Sequence, residues 1–296
     1  MTTDALASPA GAVARLSPPR RRPRARAAAR WERGVGHALM ILLSLVCVFP
    51  IYWMIVTSLR PENDIYSSAL WPDAASLENY AYALRSIPMG RMLVNTFVVS
   101  TAVTAIQLLT GILAGYAFAR WRFPGAGLLM AAVALTWLVP LQVVMIPNYL
   151  LVAHLGLIDT LGALILPHIA SAFAILLLAQ AMRSFPREVV EAARMDGASH
   201  AHVLWQVVLP NLRGTIASLA ILIFISTWNE YFWPLLLTRR PENSVVQIGL
   251  QMFVTAEGTA WGPLMAASTL ASLPILAIYL VLQRQVISSF MKSGLR

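Results

Sequence analysis

Lysine, cysteine and charge are all scarce in this chain, and each shortage removes a class of function. Lys292 is the only lysine; it is followed by Ser293 but preceded by Met291. A phosphate-binding loop needs Gly-x-x-x-x-Gly-Lys and then Ser or Thr. The chain has no such site and is not expected to be an enzyme, so any ATP chemistry belongs to a partner. Cys47, in an apolar run, is the only cysteine. This excludes an internal disulfide and a cysteine metal cluster. Val46 is also not the small residue that a lipoprotein cleavage site wants before its cysteine. The five histidines are His37, His154, His168, His200 and His202. Only the last two are close in sequence, and residues two apart on a helix do not face each other. No metal centre, catalytic constellation or cofactor is expected.

Apolar residues are plentiful. The chain is 58% hydrophobic and 12% charged, whereas soluble domains run at about 45–50% apolar and about 25% charged. A spanning helix needs about 20 mostly apolar residues. Six segments qualify: residues 36–58, 92–118, 128–145, 160–182, 215–237 and 264–282. The third is short and carries Pro140 near its far end. The semi-polar stretch 146–157, opened by Pro147, reads as a short helix lying at the interface. The expected fold is an all-α membrane protein of six transmembrane helices.

The basic residues orient it. Eight arginines lie in the N-terminal tail, followed by Arg120 and Arg122, then Arg183, Arg187, Arg194 and Arg213, then Arg284, Lys292 and Arg296. Those 17 fall on one side of the spans. Five, Arg60, Arg85, Arg91, Arg239 and Arg240, fall on the other. The excess of positive charge marks the cytoplasmic side, which places both termini there. The net charge of +9 thus reads as a topology signal rather than as nucleic-acid binding. The first apolar run continues through Tyr52, Trp53 and Met54 to Arg60 with no small-residue cleavage site, so it reads as an uncleaved span. Residues 1–30, rich in Ala, Pro and Arg, have no apolar face and are expected to be disordered.

The longest cytoplasmic loop, 183–213, carries a pattern of its own. Pro186 suits a first helical turn. Glu188 and Arg194 favour opposite helix ends, and Gly197 suits a C-cap. Ser199 can cap a second short helix with Val203, Leu204, Val207 and Val208 on one face, which Pro210 stops. The result is a helix–turn–helix plate under the membrane. Small Ala192 and Ala193 beside Glu191, Arg194 and Asp196 would let another protein approach closely; a solvated loop with ordinary capping would look the same.

The residues themselves narrow the choice. Glu191-Ala192-Ala193, then Asp196-Gly197-Ala198, then Val208-Leu209-Pro210 resembles the EAA loop of ABC importer permeases. The resemblance extends from about Asn95 to Arg284, towards the smaller membrane subunit of maltose-type sugar importers. Supporting stretches are Ala119-Arg120-Trp121-Arg122-Phe123-Pro124-Gly125, Val139-Pro140-Leu141-Gln142, Ser226-Thr227-Trp228-Asn229-Glu230-Tyr231-Phe232-Trp233-Pro234, and Trp261-Gly262-Pro263-Leu264-Met265-Ala266-Ala267-Ser268. Val208 stands where the family often has isoleucine.

The resemblance implies a type I ABC importer permease fold. It also implies a second, different permease subunit, two ATPase subunits and an extracytoplasmic solute-binding protein, around a sugar cargo in membrane lipid. On this resemblance Glu191, Ala192, Ala193, Asp196, Gly197, Leu209 and Pro210 would couple to the ATPase. The implied organisation is a basic tail over 1–35, a first helix and extracytoplasmic loop over 36–90, a permease core over 91–285, and a C-tail over 286–296.

Polar groups at membrane depth are costly, which singles out Glu230. It lies 15 residues after Thr215, about 22 Å along the fifth span at ~1.5 Å per residue. It can line the cargo path, pair with the partner permease, or reach surface water. Asn229 beside it, and Gln142 beside the carbonyl freed by Pro140, are the other candidate pathway residues. Asn95 and Gln107 read as bonds between helices rather than cargo contacts. The expected cargo is a sugar or sugar derivative, with glycerol phosphate or a polyol as the alternative. An ion-driven secondary transporter is the rival of a different class, but it would want internal repeats and several midplane charges, and the sequence has only Glu230.

Overall fold

The computed structural model describes residues 23–255 and 258–293. Helix α1 is Pro23–Ser58. One compact unit ends within it at Tyr52, and the other begins at Trp53. Of the tail expected to be disordered, residues 1–22 lie outside the described residues. Residues 23–30, by contrast, open α1. Pro23 suits a first helical position, and the alanines and arginines after it are strong helix formers.

The second unit continues with α2 Glu78–Ser86, α3 Met89–Arg120, α4 Ala126–Leu138, α5 Leu141–His154, α6 Leu161–His168, α7 Ala172–Arg183 and α8 Arg187–Met195. Then come α9 His200–Asn211, α10 Arg213–Trp228, α11 Phe232–Leu237, α12 Val246–Gln251 and α13 Trp261–Ser293. The two-residue strands Val254–Thr255 and Gly258–Thr259 pair as an antiparallel hairpin before α13.

Three stretches are long and apolar enough to cross a membrane unbroken: Gly34–Ser58, Met89–Arg120 and Trp261–Val281. Three helix pairs qualify only together. They are α4 with α5, bent by 99°, α6 with α7, bent by 45°, and α9 with α10, bent by 80°. The described residues therefore hold three spans, or six if each bent pair is one.

Three expected spans differ from this. The third, 128–145 with an interface helix after it, is instead two helices. Val139 is extended (φ −75°, ψ 119°) and Pro140 stands at the N-cap of α5, because a residue before proline is pushed out of the helical region. Pro147 then sits inside α5 rather than opening a helix. The fourth breaks after His168, where Ser171 begins a new helix by accepting the Ala174 N–H through Oγ at 3.3 Å. The fifth stops at Trp228 and restarts at Phe232.

Helix α3 is the centre of the second unit, packed against α7 and α10. Glycines make the close approach to α7. A Cβ on Gly111 would stand 3.2 Å from the Ala174 Cβ, and one on Gly115 would stand 3.0 Å from the Ala179 backbone nitrogen. Small residues four apart let two helices meet where lipid supplies no hydrophobic drive and contact itself must hold them. Val103, Leu178, Met182 and Leu219 are fully buried around this seam. A second cluster joins α2, α10, α12 and α13 through Ala83, Phe224, Trp228, Val246 and Ala267.

Polar locks hold the connections. Arg60 is fully buried; its guanidinium lies 5.3 Å over the Trp53 ring and donates to the Ala69 carbonyl and, at 3.3 Å, to that of Asp64. Asn79 Nδ2 donates to the carbonyls of Ser58 and Arg60 at 3.0 and 2.7 Å. Asp159, at φ 63°, accepts the N–H groups of Arg239 and Arg240 at 2.9 and 3.1 Å and the Arg240 Nε at 2.6 Å. These donors hold its carboxyl well below the usual range.

Candidate functional site

Two regions concentrate the residues singled out in the sequence. The first is the plate built by α8 and α9. Pro186 precedes α8 as its N-cap, Glu188 lies in the first turn and Arg194 in the last. The chain leaves α8 through Gly197 at φ +83°. The Gly197 N–H donates to the Arg194 carbonyl (3.1 Å) and the Ala198 N–H to that of Ala193 (3.0 Å). This is the paired closure that a left-handed residue after a helix permits. Arg194 Nη1 adds a bond to the Ala198 carbonyl at 2.9 Å. Ser199 then caps α9, its Oγ accepting the His202 N–H at 3.2 Å.

The two helices divide the work. Helix α9 buries Val203, Leu204, Val208 and Leu209 in the main core, and its Val203–Val208 portion is wound as a π-helix. Pro210 sits in its last turn and does not end it; the chain bends at Leu212. Helix α8 buries nothing fully. Glu191, Ala192, Asp196 and Gly197 are exposed, Ala193 is half-buried, and Met195 is 88% exposed.

Sequence reasoning missed what carries the plate. Arg120, at the end of α3, donates through Nη2 to the carbonyls of Met182 (2.9 Å) and Phe185 (3.0 Å). Its guanidinium also lies 5.9 Å from the centre of the Phe185 ring. A cation at a helix C-terminus satisfies carbonyls that the helix leaves free. Trp121 stands edge-on to His200, with ring centres 6.0 Å apart. The one legible signal was an arginine at the end of a long apolar helix.

The second region is a half-open cavity of about 280 Å³ lined by residues of α3, α6, α7, α10 and α11. Glu230 lines it, in the break between α10 and α11. Its Oε1 accepts the N–H groups of Phe232 (3.0 Å) and Trp233 (3.3 Å), so the carboxylate caps α11. Gln107 and His168 also line the cavity, and Gln107 Nε2 donates to the His168 carbonyl at 2.9 Å. Asn95 bonds the carbonyls of Glu242 and Ser244 at 2.8 and 2.9 Å. Asn229 is exposed at the end of α10, where its Nδ2 donates to Ile225 and its Oδ1 accepts from Gln247. Gln142 is exposed on α5 and does not line the cavity. Trp233, a neighbour of Glu230 that suited a pore wall, also lines the cavity, whereas His168, Ser171, Ser226 and Thr227 were not anticipated, because only folding brings their helices together.

Comparison with known proteins decides the family. The binding-protein-dependent transport system inner membrane component family matches residues 107–292, from the middle of α3 to the end of α13. The chain belongs to this family. The permease is 33% identical over 270 residues to the sn-glycerol-3-phosphate transport system permease protein UgpE of Rhizobium meliloti (strain 1021), covering 88% of this chain and 96% of that protein. It is 31% identical over 267 residues to the protein of the same name from Yersinia pestis, covering 87% and 95%. Its fold matches a chain of a bacterial ABC transporter involved in the import of the acidic polysaccharide alginate. There the TM-score is 0.76 at 24% identity, over 87% of this chain and 97% of the other. This is an ABC importer permease subunit, an apolar inner-membrane component. The family and the relatives support the ABC importer role over the ion-driven reading.

Proposed function

We propose that the permease forms one half of a pore with a second, different permease subunit, and that two ATPase subunits and an extracytoplasmic solute-binding protein complete the importer. Six spans, with each bent pair counted as one, put both termini in the cytoplasm under the arginine excess. The plate is the coupling element. Exposed Glu191, Ala192, Asp196, Gly197 and Pro210, half-buried Ala193 and buried Leu209 together make up its coupling residues. The observation that carries this reading is the contrast between the two helices: α9 buries Val203, Leu204, Val208 and Leu209 in the main core, whereas α8 buries no residue fully and leaves Met195 and Val189 exposed. The cargo path runs past Glu230 and Asn229, with Gln142 towards the partner permease, and it carries a sugar or sugar derivative. The names of the relatives favour a second cargo, glycerol phosphate.

Cross-linking tests the plate. In a Cys47→Ser background, Ala192→Cys is expected to cross-link to a cysteine in the ATPase partner, and ATP to change the yield. No cross-link at any ATPase position in an assembled complex would sink the coupling role. The permease purified alone is expected to hydrolyse no ATP.

A further inference from the structure

The cavity beside Glu230 is unusual in what its polar groups still offer. Glu230 spends Oε1 on the two N–H groups of α11, and its Oε2 has no partner among the described residues. His168 Nδ1 lies 3.1 Å from the Leu164 carbonyl. That oxygen can only accept, so Nδ1 carries the proton and the neutral ring leaves Nε2 as an acceptor. Gln107 spends its amide nitrogen on the His168 carbonyl, which leaves Oε1 as an acceptor. Three acceptors therefore remain on three separate elements around one cavity. The Trp233 indole N–H is buried without a partner among the described residues, and Trp233 also lines the cavity. The Ser226 hydroxyl, also on the lining, has no partner among the described residues. Among the described residues, no lysine or arginine lines the cavity.

We propose that this cavity is a cargo subsite for a neutral, hydroxyl-rich solute of about one sugar ring, and that it rejects anionic cargo. The proposal rests on the reading of the chain as half of an importer pore. Hydroxyl groups donate to Glu230 Oε2, His168 Nε2 and Gln107 Oε1, while the Ser226 hydroxyl can serve the solute's oxygens. Phe173, half-buried, supplies apolar surface for one face of a ring. A volume of about 280 Å³ is just below the ~300–1,000 Å³ typical of small-molecule sites, so a chain of sugars would have to pass residue by residue. A phosphate or carboxylate would meet a carboxylate and two further acceptors with no cation to neutralise it, which costs desolvation and repulsion together. The subsite thus differs in charge from the cargoes named for the relatives and the fold neighbour.

The test uses the complete importer, with its own partner permease, ATPase and binding protein, in ATP-loaded membrane vesicles. Probes are glucose, sorbitol and maltose against glucuronate and sn-glycerol 3-phosphate. Uptake is expected for a neutral probe and at least tenfold less for the anions. Glu230→Gln, which keeps an oxygen for the Phe232 N–H, is expected to raise KM for that probe about tenfold or more in a complex that still co-purifies. Gln107 also holds α6, so a second measurement avoids replacing it. In a Cys47→Ser background, maleimide labelling of the Ser226→Cys variant is expected to slow when the transported probe is present. Preferred uptake of either anion overturns the proposal, as does failure to take up every neutral probe. So do an unchanged KM in Glu230→Gln together with unprotected labelling of Ser226→Cys. Uptake that survives loss of the ATPase partner's phosphate-loop lysine instead overturns the importer reading itself.

Discussion

Arg120 reaches from the last residue of α3 to the Met182 carbonyl, 2.9 Å away and 62 residues later in the chain. One side chain thereby joins the central helix to the end of α7, just before the plate begins. Arg120→Met keeps the apolar stem and removes both hydrogen bonds. Bonds to a charged group are worth about 1.5–3 kcal/mol each, so the variant, losing two, is expected to lose about 3–6 kcal/mol and to melt several degrees lower. Arg120→Lys, which can hold one carbonyl but not both, should fall between. A Tm for Arg120→Met equal to that of the parent would show that the plate is held by other contacts.

Gly197 is tested by its backbone. No atom lies within 4 Å of a Cβ built there, but φ is +83°. Space therefore permits a side chain and conformation opposes it. A β-branched residue in this region costs about 1–2 kcal/mol or more. Gly197→Val is expected to insert and co-purify with the partner permease, yet to cut transport at least tenfold by misplacing Ala198 and Ser199. Gly197→Asn, which tolerates the left-handed region, should retain most of it. Uptake assays at matched protein levels decide.

The seam of α3 and α7 makes the opposite case, where space is the limit. Gly115→Leu must displace the Ala179 backbone. Overpacking of this kind costs about 1–3 kcal/mol. The expected outcome is a lower yield of folded permease in mild detergent, read by size-exclusion profile, with Gly115→Ala milder. Gly127→Ala, with nothing within 4 Å of the added methyl, is the control and should behave as the parent.

Asp159 sets a pH prediction. Its carboxyl is held well below the usual range by the Arg239 and Arg240 N–H groups, by the Arg240 side chain and by Asn243. A lowered folded-state value means that the stabilising contribution is fully present above the unfolded value of about 3.9 and is lost only as pH falls through the folded value. Between pH 5 and pH 8 the contribution is therefore flat. Asp159→Ala is expected to lower Tm by the same amount at both pH values, measured by thermal unfolding in detergent. A penalty that shrinks between pH 8 and pH 5 would contradict the lock.

Local chemistry was legible in the sequence. The plate between Pro186 and Pro210 could be read because its determinants act within a turn or two. Glu188, Arg194, Gly197 and Ser199 each satisfy backbone groups three to five residues away, or their helix dipole. The apolar runs were also legible, since about 20 such residues have few alternatives to a helix in lipid. What the sequence by itself determined was thus a basic, multi-span membrane chain with a helix–turn–helix plate.

Only the tertiary structure decided where the runs break and what the polar residues do. An apolar run reads the same whether it is one helix or two. The 99° bend at Pro140 and the break that leaves Glu230 capping α11 depend on neighbours that compensate the freed backbone groups. The cavity needed Gln107, His168 and Glu230 to meet from helices as much as 123 residues apart in the chain. Which hydrogen-bonding atoms remain free there follows from bonds across that distance, and no local pattern encodes them.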